Sequence, residues 1–321
     1  MTSVLHRVVA PFAAVTALVA TLTACGTGPN QVNSAVIIGD HVISVDEVQS
    51  VVDKVVKEPA ARSLAQQHKL DLVAREAVGQ LVVHEVLGDF ARREGLKVDQ
   101  DQLAALRAQN PFNQKLSANS NMPTEQLVPE LVSRARGFEA YANDQLLLVE
   151  LAKNHLGRDS ATYNLVAVQN EDEARTLADQ IVANPSQSGA LMRAAAKKTQ
   201  SEPTLNKDTG PNGDGVYLSA PDNSVFVLPA GQGDTGGGGF SVVHVLSTKT
   251  AATVSPDVDL SQIDSSQLPA LGSFVLRPTL MENNIRISPR YGVWNDLTMK
   301  VVPKAEAEVS GFVVPPKSGN S

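Results

Sequence analysis

The chain has 321 residues and a formal net charge of −7. Hydrophobic residues make up 42%, enough for a sizeable core, which excludes a wholly disordered chain. The acidic balance argues against a nucleic-acid-binding surface, which needs a basic stripe. The single cysteine excludes both an intramolecular disulfide and a cysteine-rich zinc site.

Residues 1–25 have the three-part pattern of a secretory signal. His6 and Arg7 form a short basic head, and Val8 to Ala24 carries no charge. The lone cysteine then follows small residues. Leu22-Thr23-Ala24-Cys25 resembles the bacterial lipobox, in which the chain is cut before the cysteine and its thiol is acylated. That resemblance implies a lipid anchor at Cys25, with residues 26–34 as a polar tether. Several acyl chains on one residue give stable membrane attachment, at about 0.8 kcal/mol per buried CH2. The protein is then expected on the outer face of the cell membrane, where no ATP is at hand and binding energy alone must drive its work.

Ala35–Val45 holds two β-prone runs around the turn signal Gly39-Asp40. Ser44 and Glu47 have capping-box spacing, and Val48, Val51, Val52, Val55 and Val56 follow at helical spacing. The pattern predicts a second helix over 69–94 ended by Gly95, and a third from Asp99 to Pro111. A fourth spans 124–155, with Pro129 in its first turns. Residues 35–157 therefore read as a helical block with an N-terminal hairpin.

The character changes at Asp159. Residues 163–168 predict a strand. Asn170 caps a helix to about Ala183, and a second helix covers 190–199. Residues 200–215 read as a loop, 215–218 and 226–228 as short strands, and 240–246 as a strong strand. This makes a small α/β unit over 159–249. A Ser/Asp/Pro-rich linker is expected over 250–270, a helix over 271–284, short strands at 285–288 and 297–302, and a disordered tail over 303–321. The fold class is α+β.

Three stretches carry a resemblance to the SurA/PrsA family of secreted chaperones: Ala35–Val56 (AVIIGDHVISVDEVQSVVDKVV), Ala91–Leu106 (ARREGLKVDQDQLAAL) and Ile285–Asp296 (IRISPRYGVWND). The resemblance implies a helical chaperone domain over 35–157, a parvulin-type prolyl isomerase domain over 159–249, and a C-terminal segment over 271–302 that returns to the helical block. It also implies unfolded or extended polypeptides as partners. Parvulins place a histidine in the first strand, and here that position resembles Asn164. They place another in the last strand, where Val243 stands and His244 falls one residue late. A one-residue shift turns a side chain to the other face of a sheet, and a bulge in the Gly-rich approach would restore it. The middle unit is thus read as a degenerate parvulin-like domain, with His244 as its one catalytic candidate. The protein is read as a holdase without isomerase activity. The alternatives are an active prolyl isomerase and a non-catalytic envelope interaction lipoprotein.

Other signals are weaker. The histidines have no zinc spacing, so no metal is expected, and no cofactor either. Gly231–Gly239 (GQGDTGGGG) lacks the Lys-Ser/Thr end of a phosphate loop. Asp208, Asn212 and Asp214 lack the closing glutamate of a calcium loop. The cluster Pro289-Arg290-Tyr291-Gly292 with Trp294 holds the only tryptophan. Tyr291 and Trp294, with Phe226 and Phe240, are candidate client contacts, since aromatics dominate hot spots. The competing and stronger reading is a packing clamp, because a bulky aromatic contributes most when buried.

Overall fold

The computed structural model describes residues 33–118, 122–209, 220–229, 239–255, 263–306 and 311–316. The fold is α+β. Strands β1 (Ser34–Ile38) and β2 (His41–Ser44) form the expected hairpin, and Gly39 holds its turn at φ +53°. Ser44 caps α1 (Val45–Lys57) by accepting from the Glu47 amide at 3.1 Å. Val48, Val51 and Val55 point inward from α1.

Helices α2 (Arg62–Gln66), α3 (Leu70–Glu94) and α4 (Gln100–Ala108) follow. The single helix expected over 124–155 is two: α5 (Thr124–Arg136) and α6 (Phe138–His155). They break at Gly137, whose φ of 101° no helix tolerates. The core of this block is aliphatic, built on residues such as Val55, Val82, Leu87, Leu131 and Leu151.

The chain then enters a second layer. Strand β3 (Asp159–Val168) leads into α7 (Glu171–Ala183), capped by Asn170, and α8 (Ser188–Thr199). Strands β4 (Thr204–Asp208), β5 (Val225–Pro229) and β6 (Phe240–Thr250) complete the unit. Residues 204–208 were expected as loop; they form an edge strand against β3. The expected strand at 215–218 and the loop residues 231–238 lie outside the described residues.

Helix α9 (Leu268–Glu282) begins inside the stretch read as linker. It packs on α6 where Gly272 lies against the backbone of Leu148. Strand β7 (Arg286–Ile287) then joins the N-terminal hairpin, giving the sheet order β2-β1-β7. Strands β8 (Val293–Asn295) and β9 (Lys300–Val302) form a short hairpin that lies on α3.

The tail reading needs a correction. Lys304–Glu306 make a helical turn, and Phe312–Val314 form β10, paired antiparallel with β5. The larger sheet is therefore five-stranded, in the order β10-β5-β6-β3-β4. Its partner supplies the reason: an alternating Phe-Val-Val run is stable as a strand once a neighbouring edge completes its hydrogen bonds. The C-terminal 30-odd residues thus bind both layers, through β7 on one and β10 on the other.

Candidate functional site

A cleft of about 310 Å³ opens in the helical block between α3, α5, α6 and the β9 hairpin. Gly79, Val83, Leu148, Met299 and Val301 give it apolar walls, and Pro129 and Tyr141 close its sides. Polar groups converge at one end. Arg136 donates to Asp144 Oδ2 at 2.7 Å and to Gln80 Oε1 at 3.2 Å. The Ser133 hydroxyl donates to the same Gln80 oxygen, and Gln80 Nε2 donates to Glu76 and to the Pro129 carbonyl. His84 Nδ1 sits 2.6 Å from Asp144 Oδ1. The Arg136 side chain is 8% exposed and that of Asp144 11%. A buried ion pair needs such additional hydrogen bonds to offset desolvation. The network therefore holds one wall of the cleft in a single arrangement. Burial, with the charge of Glu130 second, pushes the Tyr141 phenol above its ordinary range, so it stays a neutral O–H.

Sequence reasoning missed this constellation. Gln80 and His84 share a face of α3 at i, i+4, but Arg136 and Asp144 reach them only because the chain turns at Gly137. His84 is half exposed yet tied to that buried carboxylate.

In the second layer, Asn164 and His244 are directly paired across β3 and β6. The expectation that His244 falls on the opposite face is corrected: Asn164 pairs with His244 and Leu165 with Val243, so the asparagine and the histidine share a face, and β6 carries Leu246 as an extra residue between the partners of Thr162 and Tyr163. The pair faces α8. Asn164 donates to Ser188 Oγ at 3.0 Å and accepts from the Asn206 amide at 2.8 Å. His244 is fully buried, and neither ring nitrogen has a hydrogen-bond partner among the described residues. Burial lowers its pKa from 6.5 to about 4, so the ring is neutral near pH 7. It lines neither the helical cleft nor a second one, about 280 Å³, between α7 and α8.

The four candidate client contacts have different fates. Phe226 is fully buried under Leu297, and Arg277 stacks on it with the cation 5.6 Å from the ring centroid. Tyr291 is 9% exposed and belongs to the helical core. For these two the client-contact reading is corrected: Phe226 is covered by the returning C-terminal segment, and Tyr291, on that segment, is packed into the helical core. Trp294 packs, partly buried, on the same core, as the clamp reading expects, and Phe240 covers the α7–α8 side of the sheet.

Among the described residues the large hydrophobics that stand exposed are Val42, Val56 and Val254. His41, Glu85 and Asp89 gather on the surface, with His41 Nδ1 3.1 Å from Glu85 and Nε2 3.5 Å from Asp89. Both ring nitrogens thus face carboxylates, the pattern of a histidine ion pair. None of the helices among the described residues is long and apolar enough to cross a membrane.

No protein-family model matches the chain, and no curated protein does. Among solved structures, the foldase protein PrsA from Streptococcus pneumoniae is similar at 15% identity, over 78% of this chain and 94% of that one, with a TM-score of 0.22. At that score the superposition has no bearing on the site.

Proposed function

We propose that the chain is a lipid-anchored, extracytoplasmic chaperone that binds unfolded polypeptide segments without ATP and without prolyl isomerisation. The helical cleft carries this reading. It is concave and apolar, and its buried Arg136–Asp144–Gln80 network holds it open. Such a cleft takes one large apolar side chain and releases it readily, which suits weak, exchanging contacts with many chains. The resemblance of Ala35–Val56 and Ile285–Asp296 to the SurA/PrsA chaperones favours the same role. So does the Leu22–Cys25 lipobox pattern.

The isomerase alternative finds little support. Catalysis would require a group that favours the twisted amide, against a barrier of about 18–20 kcal/mol. His244 is fully buried and lines neither of the two clefts among the described residues.

The test uses the chain from Cys25 onward, added to a chemically unfolded secreted protein. Stoichiometric amounts are expected to suppress light scattering on dilution. Val83→Glu, which puts a charge on the apolar wall, is expected to abolish suppression while leaving circular dichroism unchanged. Equal suppression by both proteins would remove the cleft from the argument. No suppression at any ratio would turn the reading to a lipoprotein with one fixed envelope partner.

A further inference from the structure

Strand β10 completes the large sheet at an edge that the rest of the second layer leaves open. It does so with three residue pairs: Phe312 with Val227, Val313 with Phe226, and Val314 with Val225. All three β10 residues are only partly buried. Pro315 and Pro316 follow and lack the N–H groups to extend the ladder, and β5 itself ends at Pro229. A strand with so few pairs, reaching in from the far end of the chain, is held weakly compared with the β3–β6–β5 centre.

Its fit is nonetheless specific. Gly311 runs at φ +81°, and a Cβ there would lie 2.6 Å from Leu297 Cδ2, 2.6 Å from the Val227 carbonyl and 2.9 Å from Pro229 Cδ. Asn295 Nδ2 donates to the Gly311 carbonyl at 2.9 Å. Phe312 then lies under Arg175, with the cation 4.3 Å from the ring centroid. Val313 turns to the opposite face, where Phe226 and Leu297 wait.

We propose that the β5 edge is a strand-addition site for extended apolar segments of other polypeptides, and that β10 is its built-in, displaceable occupant. The chemistry of β10 defines the ligand class: a glycine, then an aromatic residue, then β-branched residues in alternation. Backbone pairing supplies affinity and the two side-chain faces supply selectivity, as in other strand-addition sites. Because β10 is tethered to the same chain, it competes at high effective concentration and keeps the edge closed to weak ligands. An apolar edge left bare would also invite aggregation, which the occupant prevents. This site is separate from the helical cleft and stands or falls without it.

The test substitutes Gly311→Ala, since the crowding of that Cβ against Leu297, the Val227 carbonyl and Pro229 opposes docking of β10. The probe is a fluorescent peptide of sequence SGFVVPP, read by anisotropy against the chain from Cys25 onward. The variant is expected to keep cooperative unfolding with its midpoint within a few degrees of wild type, and to bind the peptide roughly 10- to 100-fold more tightly, the factor that about 90–99% self-occupancy removes from apparent affinity. A chain ending at Ser310 is expected to bind as the variant does. A peptide with alanine at the glycine position is expected not to bind.

Three results would overturn the proposal. One is loss of cooperative unfolding in both variants, which would make β10 part of the core. Another is a folded variant with no gain in peptide binding. The third is a wild-type mass that doubles with concentration and reverts on deletion of 311–321, which would make the edge a site of strand exchange between copies. Aggregation suppression left unchanged by Val83→Glu, with peptide binding intact, would count against the cleft alone.

Discussion

Asn164 and His244 face each other across two central strands, both buried, yet only the asparagine is hydrogen-bonded. The imidazole therefore bears the desolvation of two ring nitrogens with no hydrogen bond from the described residues to offset it. Above pH 6.5 it is neutral in the folded and unfolded chains alike. Between 6.5 and about 4 only the unfolded chain takes up the proton, so folding stability falls as the pH drops through that window. The loss amounts to about 3 kcal/mol, at 1.36 kcal/mol per pKa unit. His244→Leu is expected to flatten this acid limb and to leave stability at pH 7 unchanged or higher, because an unpaired buried polar group costs about 1–3 kcal/mol. Urea denaturation at pH 7.5, 6 and 4.5 measures it. An acid limb as steep in the variant as in wild type would show that other groups set it.

The crossing of α9 over α6 depends on Gly272 in the same way. Its position is filled from across the interface by the Leu148 backbone, which cannot retreat as a side-chain tip could. Gly272→Ala must push the helices apart. An expected loss of about 3 kcal/mol lies at the upper end for overpacking. The denaturant midpoint should fall with the slope unchanged, and Gly272→Ser should be worse. Because Leu148 also lines the cleft, the variant links packing to binding. Its affinity for unfolded chains should drop even where it remains folded.

Arg277 is 1% exposed and joins three parts of the chain. It donates from α9 to the Leu297 carbonyl at 3.0 Å, and its cation lies 4.9 Å from the Phe274 ring centroid and 5.6 Å from that of Phe226 on β5. Burial raises the Asp296 carboxyl above its ordinary value, while the Trp294 indole and then the Arg277 charge pull it back. Arg277→Ala removes that charge together with the side chain's packing on Phe226 and Phe274, and is expected to destabilise the fold at pH 7. A carboxyl whose folded pKa is raised loses stability as pH rises through that pKa. Without Arg277 the rise is larger, so the variant's deficit should shrink toward pH 5. Adding Asp296→Asn should recover part of the loss at pH 7. Denaturation of both variants at pH 5 and 7 checks the pattern, and a deficit independent of pH would assign Arg277 to packing alone.

What was legible in the sequence follows from the range of the forces involved. The Ser44–Glu47 cap, the valine stripe of α1 and the apolar runs of β3, β5 and β6 are local signals, and each marks an element. The β4 strand was not legible because its Thr-Leu-Asn-Lys-Asp composition is that of a loop. It is held instead by Asn164 accepting from the Asn206 amide, from 42 residues away. β10 needed the β5 edge, and Gly137 gave no hint that it would break a helix whose apolar spacing continues on both sides. The polar end of the cleft depends on that same break, so it could not be read before the fold. The aromatic pair Tyr291 and Trp294 stood out by rarity alone, and rarity is as compatible with a clamp as with a binding surface.

The proposed anchor makes a prediction of its own. Eight residues, Gly26 to Asn33, separate Cys25 from the first residue of β1. Fully extended, they span at most about 3.3–3.6 Å each, which keeps the helical block within roughly 30 Å of the membrane surface. Anchoring rests on several acyl chains at Cys25, since one chain alone binds only marginally. Cys25→Ser is therefore expected to move the protein from the membrane pellet to the soluble fraction, with the fold unchanged by circular dichroism. Mass spectrometry of the wild-type N-terminal peptide should find the acylated cysteine as its first residue. A protein that stays in the pellet after Cys25→Ser would point instead to residues 8–24 as an uncleaved apolar anchor. The mass of the N-terminus would then include them.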